Sequence, residues 1–178
     1  FNYKNNGKIK KADLEFKRSF ENSLLEEQIK QFSIINSEIQ TNFSPKNNTI
    51  SIFGKYSLNK SNFLSFNLER VAKKEILKLK LNADYDKFIQ LDFINYQKPK
   101  NLIGNFSVNL EKQKDNIKIE NLNFIEGKNS FKINGLNFDN NKFLSLKKIS
   151  VKTTKDKKTN NDFSILYEKK IKIDGNLI

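Results

Sequence analysis

The chain has 178 residues, 37% of them hydrophobic and 30% charged, and 33 basic against 20 acidic side chains give a net charge of +13. That length fits one domain, or one slice of a repeating structure, with a modest core. The absence of Cys and His excludes disulfides, thiolate and imidazole metal sites and the usual serine and cysteine triads.

No run approaches the ~18–20 apolar residues of a membrane-spanning helix, so any membrane anchor is expected outside this sequence. The positive charge would ordinarily point to nucleic acid or an anionic surface. Lys, Asn, Ile and Phe, all with AT-rich codons, are abundant together here, and the lysines are spread along the chain instead of gathered in one arm. A solvated, lysine-rich face is therefore the expectation. A chain without Met that opens on Phe1-Asn2-Tyr3 reads as a piece of a longer polypeptide or a processed product.

In chain order, period-two alternation dominates. Leu14 and Phe16 begin it. Ser23-Leu24-Leu25-Glu26 then has capping-box spacing, and Leu24, Leu25, Gln28, Ile29 and Phe32 suit a helix, so a short helix near 23–31 competes with a strand. Phe32 and Ile34, then Ile39, Thr41 and Phe43, alternate as strands do, and Pro45 to Asn48 reads as a turn. Ile50 and Ile52 precede a turn at Asn59 to Asn62, and Leu64, Phe66 and Leu68 follow it. A helix over 69–76 is an alternative, because Leu68, Val71, Ala72, Glu75, Ile76 and Leu79 could share one helical face.

The clearest strand sets Leu77, Leu79, Leu81, Ala83 and Tyr85 against Lys78, Lys80, Asn82, Asp84 and Asp86, putting apolar side chains on one face and polar ones on the other. Ile89, Leu91 and Phe93 alternate next, then a turn at Lys98 to Asn101, then Phe106, Val108 and Leu110. Further runs fall at Ile117 and Ile119, at Phe131 and Ile133, at Phe163, Ile165 and Tyr167, and at Ile171 and Ile173. Turn signals separate them at Lys114 to Asn116, Glu126 to Asn129 and Asp139 to Asn141, and Thr153 to Asp162 reads as a polar tip. The alternation slips by one residue between Ile119 and Leu122, Ile133 and Leu136, and Leu146 and Ile149, which predicts β-bulges or bends.

Little in this pattern carries chemistry. The six glycines are isolated, so no phosphate-binding loop occurs. Asp84 and Asp86 are the most suggestive carboxylates, and their place on the lysine face predicts water-facing charges paired across strands, not an acid/base pair. Phe16, Phe66, Phe93, Phe106, Phe131 and Phe163 keep phase with Leu and Ile, which predicts an apolar interior instead of a base-stacking surface. About nine or ten one-sided strands must close into a barrel, fold into a sandwich, or curl into a trough lined for long alkyl chains.

From about Tyr56 onward the chain resembles the AsmA-like superfamily of bacterial envelope proteins, which includes the YhdP and TamB branches. The likeness is carried by Leu91-Asp92-Phe93-Ile94-Asn95-Tyr96-Gln97-Lys98-Pro99, the strand from Gly104 to Leu110, Ile117 to Phe124, Phe131 to Leu136, and the closing Ile171-Lys172-Ile173-Asp174-Gly175. The resemblance implies an all-β segment, 1–178, of a larger inner-membrane-anchored periplasmic protein. Its long antiparallel β-meander would curl into a taco-like, half-open groove that carries phospholipid acyl chains toward the outer membrane. It implies no catalytic residues and no cofactor, and outer-membrane proteins as further partners. The alternation assigns the lining role to Leu77, Leu79, Leu81, Leu91, Phe93, Phe106, Val108, Leu110, Ile117, Ile119, Phe131, Ile133, Phe163, Ile165 and Ile171. The competing readings are a structural β-sandwich or solenoid with a sealed core, and a basic nucleic-acid-binding β domain.

Overall fold

The computed structural model describes residues 1–20, 27–155, 158–167 and 170–177. The strands are β1 (Tyr3–Phe20), β2 (Ile29–Phe43), β3 (Asn48–Leu58), β4 (Leu64–Lys73), β5 (Ile76–Tyr85), β6 (Ile89–Leu91) and β7 (Tyr96–Lys98). They continue as β8 (Gly104–Gln113), β9 (Asn116–Glu126), β10 (Asn129–Asp139), β11 (Lys142–Ser145), β12 (Lys148–Lys155), β13 (Lys158–Tyr167) and β14 (Ile171–Leu177). Among the described residues, twelve strands form one sheet in the order β1-β2-β3-β4-β5-β8-β9-β10-β12-β13-β14, with β11 beside β10, while β6 and β7 form a separate pair. Every pairing is antiparallel, and β1 and β14 remain unpaired edges, so the sheet is an open, curled meander.

Period-two alternation produces this sheet because each tight turn returns the chain in a register that keeps apolar residues opposite one another. Lys74 (φ 51°) turns β4 into β5, and Lys114 (φ 53°) turns β8 into β9. The 69–76 segment is therefore strand, turn and strand: Leu68 faces Leu81 and Ala72 faces Leu77. Of the helix expected near 23–31, residues 23–26 lie outside the described residues, and Ile29 already belongs to β2.

Two of the three slips are absorbed by bulges. On β9, Asn121 and Ile119 pair with the consecutive residues Asn109 and Leu110, leaving Glu120 extra. On β10, Gly135 (φ +64°) lies in step with that bulge, so Leu136 faces Ile119 while Ile133 faces Leu122. The extra residue restores the face that a plain slip would lose. A Cβ at Gly135 would stand 2.6 Å from Lys147 Cγ, so the bend admits little but glycine. The third slip is a break: Leu146 and Lys147 separate β11 from β12.

The register lines up an apolar row across the sheet from its second strand to its last. Ile39, Ile52, Leu68, Leu81, Val108, Leu122, Ile133, Ile149, Ile165 and Ile173 face one another strand by strand from β2 to β14. At about 4.8 Å per strand spacing, that row runs for about 43 Å. A parallel row toward one end of the strands holds Phe66, Ala83, Phe106, Phe124, Phe131, Val151 and Phe163.

The opposite face is polar and braced by ion pairs between facing residues. Lys78 meets Glu111 at 3.0 Å, Lys80 meets Glu69 at 3.9 Å, and Lys152 meets Asp162 at 3.1 Å. An open depression of about 270 Å³ on this face is bordered by Asn67, Glu69, Lys80, Asn82, Ser107, Asn109 and Asn121. Being solvent-exposed, these pairs add little to stability.

Candidate functional site

Between β5 and β8 the chain leaves the sheet, and residues 86–101 fold back over its apolar face as a flap. β6 and β7 form its arms, joined by a 3-10 turn over Asp92–Ile94 and by Asn95 at φ 48°. The turn ends the alternation that began at Ile89 and Leu91. Ile94 and Tyr96, not Phe93, then point inward and are 2% and 4% exposed. They form a buried cluster with Phe124 and Val151, and Ile89, Leu91, Phe106, Phe131, Ile149 and Phe163 pack around it. Burying Ile94 and Tyr96 stabilises the closed flap by about 2–3 kcal/mol each.

Polar groups ring this cluster. The Tyr96 hydroxyl donates to Glu126 Oε2 at 3.2 Å, and Asn129 Nδ2 donates to the same oxygen at 2.6 Å. Asn161 is fully buried, and its Nδ2 donates to the Ile94 carbonyl at 2.7 Å and to Thr153 Oγ1 at 2.8 Å. The segment expected as a solvated tip, Thr153 to Asp162, is thus partly interior, because the flap lies against it. Burial, and then the Glu126 carboxylate, push the Tyr96 phenol well above its ordinary value.

The roots of the flap are clamped. The Asn101 N–H donates to the Asp86 carbonyl at 2.8 Å, and the Glu27 carboxylate meets Lys87 at 3.5 Å and Lys100 at 3.4 Å. Burial opposes the Glu27 charge, yet the two lysines outweigh it and hold its pKa below the usual range. Lys98 is wholly enclosed, donating to the carbonyls of Lys87 (2.7 Å) and Pro99 (3.1 Å) beneath the Tyr85 ring, and burial lowers its pKa.

Asp86 corrects the expectation of a water-facing charge. It lies past the end of β5, is 4% exposed, and accepts from Asn62 Nδ2 at 2.8 Å through Oδ2, while Oδ1 meets no hydrogen-bond donor among the described residues. Asp84 stays on the polar face and accepts from Asn105. The two carboxylates therefore occupy different environments and form no pair.

Of the residues assigned to an apolar lining, Leu77, Leu79, Leu81, Val108, Leu110, Ile117, Ile119, Ile133 and Ile165 share one face of the sheet by register. Phe106, Phe131 and Phe163 share it too, at the end the flap covers. Leu91 belongs to the flap and meets the sheet from above. Phe93 is a correction: the 3-10 turn rotates it outward and it is 74% exposed. Ile171 lies on the edge strand β14, where no further strand shelters it, and is 64% exposed.

Away from the flap, Leu68, Leu77, Leu79, Leu81, Leu110, Ile119 and Leu122 are only half-buried. Among the described residues no other strand or helix exists to cover them, and no three Asp or Glu side chains gather as a metal site would need. The alternation gave Ile94, Tyr96, Glu126, Thr153 and Asn161 no part in the lining: Glu126 and Thr153 fell in expected turns, and Ile94 and Tyr96 only in the stretch that carries the resemblance. The only available signal was the φ-permissive Asn95 between two aromatic-bearing runs, and it was hidden by the abundance of Asn elsewhere. No protein-family model, curated protein or solved structure matches the chain.

Proposed function

We propose that this chain is a non-catalytic, groove-forming segment of an AsmA-like envelope protein that carries phospholipids between membranes through its acyl-chain-binding face. The carrying observation is the unbroken apolar row from Ile39 to Ile173, most of it half-buried and without a covering layer. An alkyl chain laid along such a row is shielded from water at ~0.8 kcal/mol per buried CH₂ while its headgroup stays in solvent. Translation along the row exchanges one set of equivalent contacts for the next, so no chemical step is required. The envelope and periplasmic setting of this proposal is taken from the resemblance of residues 56–178 to AsmA-like proteins.

A second reading, a structural segment with a sealed core, is favoured by the flap-covered end, where Ile94, Tyr96, Phe124 and Val151 already exclude solvent. Native mass spectrometry of the purified chain, followed by organic extraction, separates the two. Phospholipid retained in stoichiometric amount is the expected result. A folded monomer of apo mass that takes up no phospholipid from vesicles would overturn it in favour of the sealed segment.

A further inference from the structure

Resting on the lipid-binding reading above, we infer that the flap over residues 86–101 is a displaceable lid. It fills part of the apolar face with its own side chains and gives way to a lipid acyl chain.

The flap is built to part from the sheet as a unit. β6 and β7 hydrogen-bond to one another and not into the twelve-stranded sheet, so lifting them breaks no ladder. What holds the arms down is the insertion of Ile94 and Tyr96 beside Phe124 and Val151, with the hydrogen bonds of Tyr96 to Glu126 and of Asn161 to the Ile94 carbonyl. Those side chains offer the sheet aliphatic and aromatic surface, the same commodity an alkyl chain offers. The occupant that replaces them must therefore be apolar, and the adjoining row from Ile39 to Ile173 suits an extended alkyl chain.

The roots stay put while the arms move. Asn101 is bonded to Asp86, and Glu27 joins Lys87 to Lys100 across the base. The lid thus closes on apolar contacts that a lipid can replace. A ligand displaces such a lid only by its preference for the open state, and its apparent affinity falls with the closed fraction.

The test titrates the intact chain with cis-parinaric acid, a fluorescent fatty acid, while hydrogen–deuterium exchange follows residues 89–98. Saturating fatty acid should accelerate exchange across 89–98 in the unmodified protein, a measurement that needs no variant. Ile94→Ala, which weakens closure and alters no residue of the sheet itself, should bind the probe several-fold more tightly. Because the chain has no cysteine, an Ile94→Cys/Val151→Cys pair bridged by dibromobimane can pin the flap, and binding should then weaken several-fold. Equal affinity in all three proteins, with 89–98 protected whether or not probe is bound, would overturn the lid and leave lipid binding elsewhere on the face intact. Failure of every form to bind either parinaric acid or phospholipid would sink the lipid reading and the lid together.

Discussion

The side-chain amide of Asn161 on β13 donates to the backbone carbonyl of Ile94 in the flap, 67 residues earlier, at 2.7 Å. Asn161 also donates to Thr153 Oγ1 and is fully buried, so one side chain joins the flap to two strands of the sheet. Asn161→Ala strands the Ile94 carbonyl under the flap. The expected loss is about 1–3 kcal/mol, read from urea unfolding followed by circular dichroism, whereas a change within experimental scatter would show that the flap draws nothing from this contact.

Tyr96 separates packing from hydrogen bonding. Its ring lies 4.7 Å from that of Phe131, centroid to centroid, and its hydroxyl reaches Glu126. Tyr96→Phe keeps the ring, and Glu126 retains Asn129, so a loss of about 1 kcal/mol is expected. Tyr96→Ala empties the site and should cost about 3 kcal/mol or more. Equal losses in the two variants would assign the stability to the hydroxyl.

Alkaline pH reads the same enclosure. Burial first, and then Asp86 and Glu27, push the Tyr85 phenol up to about 12, and Tyr56 and Tyr96 are raised as well, mainly by burial. A folded pKa above the unfolded value of about 10 means a contribution fully present below pH 10 and lost as pH climbs toward the folded value. Lys98, whose pKa burial lowers, acts the other way, and its contribution recovers as pH rises toward about 10.4. Urea midpoints measured from pH 8 to 12 should therefore fall steeply only above about pH 10. Tyr96→Phe should flatten that fall, and an unchanged alkaline slope in the variant would mean that Tyr96 is not the group responsible.

The bulge at Gly135 makes a local prediction. With φ at +64° and a would-be Cβ 2.6 Å from Lys147 Cγ, Gly135→Val should lose about 1–3 kcal/mol. Gly127 has φ +54° but open space around it, and Gly127→Asn should stay within about 0.5 kcal/mol. Thermal melts of the two variants compare a turn that needs only its dihedral with a bend that also needs room.

Leu79→Asp probes the uncovered part of the face. Leu79 is half-buried opposite Leu110 and away from the flap, so the sheet should survive while acyl-chain binding falls at least tenfold. Retained binding of parinaric acid in a folded Leu79→Asp protein would argue against an apolar track through this row.

Much of the architecture is legible from alternation alone. A strand's side chains change face at every residue, so Leu77, Leu79 and Leu81 had to share one side and Lys78 and Lys80 the other. The slips at Ile119 and Ile133 announced bulges for the same reason, because the apolar face could not otherwise be kept. The turn residues marked where each strand returned, and hence an antiparallel meander.

Alternation says nothing about what lies over a face. Ile89, Leu91 and Phe93 carry the same local pattern as residues of the sheet, and only the left-handed Asn95 and the packing of Ile94 and Tyr96 against Phe124 and Val151 turn that stretch into a flap. Burial of Asp86, Lys98, Thr153 and Asn161 follows from that docking, since each is polar and would be solvated in a bare strand or loop. Which residues share a face is a property of the backbone's two-residue repeat, and the sequence by itself determined it. Which part of the face is covered depends on contacts between segments up to 67 residues apart, and only the tertiary structure decided it.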